Sequence, residues 1–307
     1  MTPTPRTHQL EAIAAIQAHL HTTDRVSVLM ACGTGKTLVG RWLAEQRQAS
    51  RTLVVVPSLA LIAQTLSEWR SAAGWMFEAL IICSDPSTAD GAQERAGSDG
   101  EDIPGPFWAR HRAQVTTSPH TAAHVLTGRH PDRPLVVFST YHSAPVAAAA
   151  ARSAGTHFDL TIADEAHNLA GHPRPDFRVV LGDELPTTAR VFMTATQVTT
   201  TPAPAQPGWD DWSAPLSMND ESKFGPVVYR LDFAEAIERQ LLSDYEVLIY
   251  ETPGESAPDP VAALLAAAGT GLSRVLTFHG RVAKARAFAD AVNGVRLPDG
   301  RRIRAVA

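Results

Sequence analysis

Short β-rich runs recur along most of the chain, at positions 26–30, 53–56, 79–83, 135–139, 160–163 and 191–194, and most are continuous apolar stretches rather than alternating ones. Runs of this length that do not alternate with polar residues predict strands buried on both faces, as in a parallel sheet. Between the first two runs, Leu38, Val39, Trp42 and Leu43 recur at helical spacing, so a strand, a loop, a helix and a second strand follow one another. Upstream, Leu10, Ile13, Ile16 and Leu20 mark an amphipathic helix expected to pack on this sheet. The fold class is therefore α/β with a mostly parallel sheet.

Two stretches break the rhythm. Positions 84–133 carry Asp85, Asp90, Glu94, Asp99, Glu101 and Asp102 among Gly, Ser and Pro, which predicts an exposed acidic insertion with a short helix near 107–114. Positions 199–215 are rich in Pro and hold Trp209 and Trp212, as expected of a surface loop closing a first domain that spans 1–232. A helix at 233–242, a strand at 246–250, an Ala-rich helix at 261–268 and a buried strand at 275–279 then read as the opening of a second α/β unit spanning 233–307.

Composition narrows the picture. With 44% hydrophobic and 19% charged residues, the chain reads as globular rather than disordered. A net charge of -5 gives no global basic footprint, so any nucleic-acid partner must be recognised by local motifs. The apolar run at 261–268 falls far short of the roughly 20 residues of a membrane helix. The start Met1-Thr2-Pro3 lacks the features of a secretory signal. A cytoplasmic location without a membrane partner is expected. Cys32 and Cys83 are too few for a disulfide framework and suit a reducing compartment.

Two motifs carry chemistry. Ala31-Cys32-Gly33-Thr34-Gly35-Lys36-Thr37 follows a predicted strand and opens a predicted helix, the context of a phosphate-binding loop. Gly33, Thr34 and Gly35 let backbone N–H groups curl toward phosphates, Lys36 neutralises the β- and γ-phosphates, and the Thr37 hydroxyl ligates Mg²⁺. The strict pattern opens on Gly where this chain has Met30. Asp164-Glu165-Ala166-His167 directly follows the run at 160–163, so its carboxylates emerge at the C-terminal end of a buried strand, the edge where open α/β sheets bind ligands. Asp164 is expected to hold Mg²⁺ and Glu165 to polarise the attacking water. His120 and His124 lie at the spacing of a zinc-protease helix, but Thr121 stands where the catalytic Glu would be, so they read as surface histidines. Cys32 reads as a small filler rather than a redox group, and Trp42 and Trp69 as core rather than stacking platforms.

With these motifs in place, the chain resembles a DEAH-type superfamily 2 helicase, closest to the helicase subunits of type III restriction enzymes. Arg6-Thr7-His8-Gln9 resembles the family's adenine-reading Q-motif, implying that Gln9, with Arg6, binds the ATP base. Val55-Val56-Pro57-Ser58 with Leu61 and Gln64 resembles motif Ia. Ser139-Thr140-Tyr141-His142-Ser143 resembles the segment preceding the acidic motif. The resemblance implies that Pro57, Ser58, Gln64, Ser139, Thr140 and Tyr141 line a nucleic-acid track, with DNA as the expected partner. Thr194-Ala195-Thr196 resembles motif III, which couples nucleotide state to that track through Thr194 and Thr196; Gln197 replaces the usual proline. His167 is carried over with the acidic motif. The run from Met218 to Tyr245 resembles the family's linker into its second RecA-like lobe, and Arg274 to Ala289 resembles motif IV. By the same resemblance the cofactors are ATP and Mg²⁺, and the fold is a RecA-like P-loop NTPase domain followed by a truncated second lobe. That lobe would normally supply an arginine finger worth roughly 10³ to 10⁵ in rate. Its expected absence points to a feeble ATPase or to a continuation, modification or nuclease subunit encoded elsewhere. A nucleotide-gated nucleic-acid-binding module with little hydrolysis is the alternative.

Overall fold

The computed structural model describes residues 3–72, 74–83, 105–128, 133–200, 215–244, 264, 277–297 and 300–306. The chain forms two compact units, Met1–Ser243 and Asp244–Ala307. In the first unit the strands are β1 (Arg25–Met30), β2 (Arg51–Val56), β3 (Glu78–Ile82), β4 (Ala113–Thr116), β5 (Leu135–Thr140), β6 (Leu160–Asp164), β7 (Arg190–Thr194) and β8 (Val227–Leu231). Its helices are α1 (Thr7–His19), α2 (Lys36–Gln46), α3 (Leu59–Ser71), α4 (Gly105–Arg110), α5 (Pro119–Thr127), α6 (Ala144–Ser153), α7 (Pro175–Arg178), α8 (Glu221–Phe224) and α9 (Phe233–Glu238). Short 3₁₀ turns cover Tyr141–Ser143 and Ala166–Leu169.

All paired strands are parallel and form one eight-stranded sheet in the order β4-β3-β5-β2-β6-β7-β1-β8. The unbroken apolar runs follow from cover on both faces. Val54, Val56, Phe138, Ile162, Val191 and Met193 join the cluster that includes Ile13 and Ile16 of α1, Val39 and Leu43 of α2, and Leu66 and Trp69 of α3. Leu53, Val55, Val137, Ala163 and Phe192 face the other way, toward Leu126 of α5 and the alanines of α6. Each buried Leu, Ile or Val in these layers stabilises the fold by about 1.5–3 kcal/mol. The small residues of α6, with Ala144, Ala147, Ala148, Ala150 and Ala151 all at 0% exposure, let that helix lie close to the sheet. Trp42 and Trp69 are core residues, as their helical spacing predicts. Ser58 and Ser118 fix the starts of α3 and α5 by accepting hydrogen bonds from Leu61 N and Thr121 N.

Several elements depart from the sequence-based expectations. The stretch read as an insertion at 84–133 contributes α4, β4 and α5, and β4 pairs with β3 at the sheet edge. Gln114, expected at the end of a helix, lies in that strand. The acidic residues 84–104 lie outside the described residues, as do 201–214 with Trp209 and Trp212, and the expected elements at 246–250 and 261–268 apart from position 264. The linker read in 218–245 supplies β8, which pairs with β1, and α9, whose Ala236 is buried in the main core. The first compact unit thus runs past Asp232, where the sequence placed its end. Leu10 faces outward, and His8 and Gln9 are buried in its place. The second unit holds α10 (Val282–Val292), which buries Ala289 and Val292, and an antiparallel bridge between Arg296 and Arg302. Thr277, Phe278 and His279, expected in a strand, form no regular element.

Candidate functional site

Because every strand runs the same way, all their C-terminal ends meet at one edge. β7 lies between β1 and β6, so the phosphate-loop candidate after β1 and the acidic pair ending β6 stand two strands apart, roughly 10 Å at normal strand spacing. Thr194 ends the strand between them.

The loop is shaped by its glycines. Gly33 and Gly35 take φ of 81° and 82°, which side chains with a Cβ rarely adopt. A Cβ on Gly35 would come within 2.4 Å of the Gln9 amide nitrogen, and one on Gly33 within 3.1 Å of Leu242. Gln9 donates from Nε2 to the carbonyls of Thr34 (3.3 Å) and Gly35 (3.2 Å), while its Oε1 accepts from Arg6 N at 2.8 Å. His8 Nε2 lies 2.8 Å from Thr34 O. The Q-motif candidate thus grips the backbone of the loop, whereas the Arg6 side chain is exposed. Thr34 closes the loop on itself by donating to Ala31 O at 2.6 Å, and Ala31 N donates to Leu231 O of β8 at 2.8 Å. Lys36 and Thr37 form the first turn of α2, with Lys36 only 7% exposed. The Thr37 carbonyl accepts from Trp69 Nε1 at 2.9 Å, which ties the loop helix to α3.

Asp164 and Glu165 share one strained corner. Glu165 has φ 50° and ψ 47°, the left-handed region that non-glycine residues seldom occupy. Its N–H donates to Asp164 Oδ1 at 2.9 Å. Burial, then the charge of Glu165, push the Asp164 carboxyl up to about 6, against the opposing Glu165 N–H and the Lys36 ammonium. The carbonyls of the pair are also held, Asp164 O by the Tyr141 hydroxyl at 2.7 Å and Glu165 O by Asn168 Nδ2 at 2.8 Å. His167 Nδ1 lies 3.0 Å from Thr194 Oγ1 and 3.4 Å from Glu165 Oε2. Thr194 is fully buried, and its hydroxyl oxygen accepts from Thr196 N at 3.1 Å. Gln197, where the family has proline, bridges to Asn219 at 2.7 Å and Arg230 at 2.9 Å, linking this turn to β8.

A magnesium–triphosphate fits these residues. Asp164 and Glu165 set two carboxylates side by side, and Lys36 is a positive group that acts on Asp164 against burial and the like charge of Glu165. Among the described residues no cluster of three or more His, Cys, Asp or Glu could enclose a metal. Two adjacent carboxylates beside a lysine are a donor set of the kind Mg²⁺ uses, since it takes one or two carboxylates and fills its shell with waters and phosphate oxygens.

The track residues divide. Pro57 and Ser58 sit at the end of β2, and Gln64 is exposed on α3 with Nε2 donating to Glu68 at 2.8 Å. Ser139 and Tyr141, expected to contact nucleic acid, point inward and are fully buried, Ser139 bonded to Thr140 O and Tyr141 to Asp164 O. Thr140 donates to Ser143 Oγ at 3.1 Å. β5 is covered on both faces to its end, so Thr140, between Ser139 and Tyr141, is buried as well. Sequence reading missed the support given by Asn168 and Trp69. Asn168 lies one residue beyond the quoted motif, and the bond from Trp69 spans positions 37 and 69 with no local signal.

The parallel sheet, the glycine-curled loop and the acidic strand end define a RecA-like P-loop domain of the superfamily 2 helicase type. Residues 2–199 match the family described as "Type III restriction enzyme, res subunit". The chain belongs to that family. It is 28% identical over 251 residues to "Probable helicase A859L" of African swine fever virus, covering 81% of this chain and 24% of that protein. It thus spans about a quarter of the length of this curated relative. Among solved structures it is similar to the ATP-dependent Type ISP restriction-modification enzyme LlaBIII bound to DNA, with TM-score 0.62, 28% identity, and coverage of 80% of this chain and 16% of that one. It is also similar to a nuclease-deletion mutant of the Type ISP enzyme LlaGI in complex with a DNA substrate mimic, with TM-score 0.62, 29% identity, and coverage of 79% and 18%. No described helix is long and apolar enough to cross a membrane.

Proposed function

We propose that this chain is the ATP-binding half of a DNA-stimulated motor that hydrolyses ATP with Mg²⁺. The observation that carries the reading is the convergence of Lys36, Asp164, Glu165 and Thr194 on the ends of three neighbouring strands. In this reading the backbone of Gly33, Thr34 and Gly35 cradles the phosphates, Lys36 balances their charge, and Thr37 with Asp164 holds the metal. Bound Mg²⁺ would neutralise charge on the phosphates. Glu165 orients and deprotonates the attacking water, and Gln9 with Arg6 faces the base. His167 and Thr194 carry the state of this site toward Thr196 and the track. Pro57, Ser58 and Gln64 meet the nucleic acid, while Ser139, Thr140 and Tyr141 support them from within. DNA is the favoured partner because both solved relatives are described in complex with DNA or a DNA mimic.

The second unit is read as the opening of a further RecA-like lobe. The test sets nucleotide binding against phosphate release with and without DNA. Lys36→Ala should weaken binding at least tenfold. Glu165→Gln should bind within about twofold of wild type yet lose about 10²- to 10⁴-fold in turnover. Equal binding defects in both variants would overturn this division of roles.

A further inference from the structure

The turn Tyr141–Ser143 has two ends. Tyr141 points inward, is fully buried, and gives its hydroxyl to the backbone carbonyl of Asp164 at 2.7 Å. His142 points outward with its side chain 43% exposed, and its Nδ1 lies 2.8 Å from Asp176 Oδ2. Phe177 of α7 packs on both rings, with centroids 5.1 Å from Tyr141 and 4.8 Å from His142. Thr140 bonded to Ser143 closes the base of the turn. A displacement at the exposed ring therefore has a short, tightly packed path to the buried one.

The inner end is placed where it matters. A phenylalanine would fill the same space without burying a hydroxyl, which is costly unless that hydroxyl is satisfied. Here it is satisfied by the carbonyl of the residue whose carboxylate is assigned to the metal, at the point where the chain leaves the sheet and turns through the strained Glu165. Asn168 holds the next carbonyl, so the acidic corner is suspended between two side chains. Only one of these, Tyr141, belongs to the turn that follows β5, which the function proposed above sets beside the nucleic acid.

We propose that Tyr141 is a positioning residue that transmits nucleic-acid engagement at the exposed face of the Tyr141–Ser143 turn, through its hydrogen bond to Asp164 O, to the magnesium-binding carboxylate. This rests on the function proposed above and names the route by which DNA acts on that site. The route is separate from the one through His167 and Thr194, which approaches the acidic corner from β7.

The test is thermodynamic, so it does not need fast turnover. A fluorescent non-hydrolysable ATP analogue is titrated into the 307-residue chain with Mg²⁺, with and without saturating single-stranded DNA, and the ratio of the two Kd values is read. Wild type should show a ratio of about tenfold, within the usual range of coupling between sites. In Tyr141→Phe the ratio should fall to within about twofold of one. His142→Ala, at the exposed end, should lower it similarly, and the double variant should lose no more than Tyr141→Phe alone. A merely structural tyrosine would cost stability but leave the ratio intact. Retention of the full ratio in Tyr141→Phe, or in His142→Ala should the first variant not fold, overturns the inference and leaves the motor reading standing. Wild type that binds both ligands without coupling also overturns it. Wild type that binds no Mg²⁺-nucleotide overturns the motor reading, and this inference with it.

Discussion

The two edges of the sheet handle polar groups in opposite ways. At the N-terminal edge, Arg190 is 3% exposed and spends its guanidinium on the carbonyls of Val180, Gly182 and Leu185, at 3.1, 2.7 and 3.1 Å. Arg25 beside it donates to the carbonyls of Leu181, Ser222 and Lys223, and Asp159 accepts from Arg51 N at 2.8 Å. At the C-terminal edge, Asp164 faces Glu165 across a strained backbone, and burial with that like charge lifts its carboxyl to about 6. One edge matches each buried charge to oxygen acceptors and locks loops in place. The other sets two acids side by side, so that burial and like charge outweigh the pull of Lys36 on Asp164.

That contrast can be broken first at Glu165. Glu165→Gln should leave the denaturation midpoint unchanged or higher while abolishing turnover, because it relieves like-charge repulsion at Asp164. A clear loss of stability would mean that the acidic corner is structural. Arg190→Met should do the reverse. Chemical denaturation should show a loss of about 3 kcal/mol, because the mutation strips buried carbonyls of their donor, with nucleotide affinity held within twofold.

A third test uses pH. The folded Asp164 carboxyl at about 6 holds its proton more tightly than an unfolded carboxyl near 3.9 does, so stability is greatest below about pH 4 for this group and declines as pH rises through 6. In metal-free buffer, wild type should lose about 1–3 kcal/mol relative to Asp164→Asn between pH 4 and 7. Parallel pH profiles for the two proteins would remove the argument for an uncompensated charge. The smallest effect on nucleotide binding is expected from Trp69→Phe, which keeps an aromatic side chain but removes the donor to Thr37 O and part of the buried indole volume. Stability should fall by about 1–3 kcal/mol and nucleotide affinity should weaken a few-fold, read by denaturation and by nucleotide titration.

Much of this was legible in the sequence because its causes are local. A run of apolar residues such as 160–163 makes a doubly covered strand whatever its neighbours are, and Gly33 and Gly35 announce a left-handed loop by lacking a Cβ. The edge strand β4 was hidden because Ala113, Gln114, Val115 and Thr116 carry only a weak strand signature, and pairing with β3 makes up the difference. The linker strand β8, Val-Val-Tyr-Arg-Leu, carries strand-favouring residues, but its place in this sheet depends on a ladder to β1, a long-range contact with no local signal.

The amino-acid order by itself determined the α/β class, the phosphate loop, the acidic strand end and their shared edge, because parallel strands with apolar runs leave their C-terminal residues together. Only the tertiary structure decided that β7 separates Lys36 from Asp164, that Gln9 grips the loop carbonyls, and that Tyr141 faces inward onto Asp164 O rather than outward to a ligand. Those outcomes depend on strand order and on the phase with which a turn leaves its strand, which are set by packing between residues far apart in the chain.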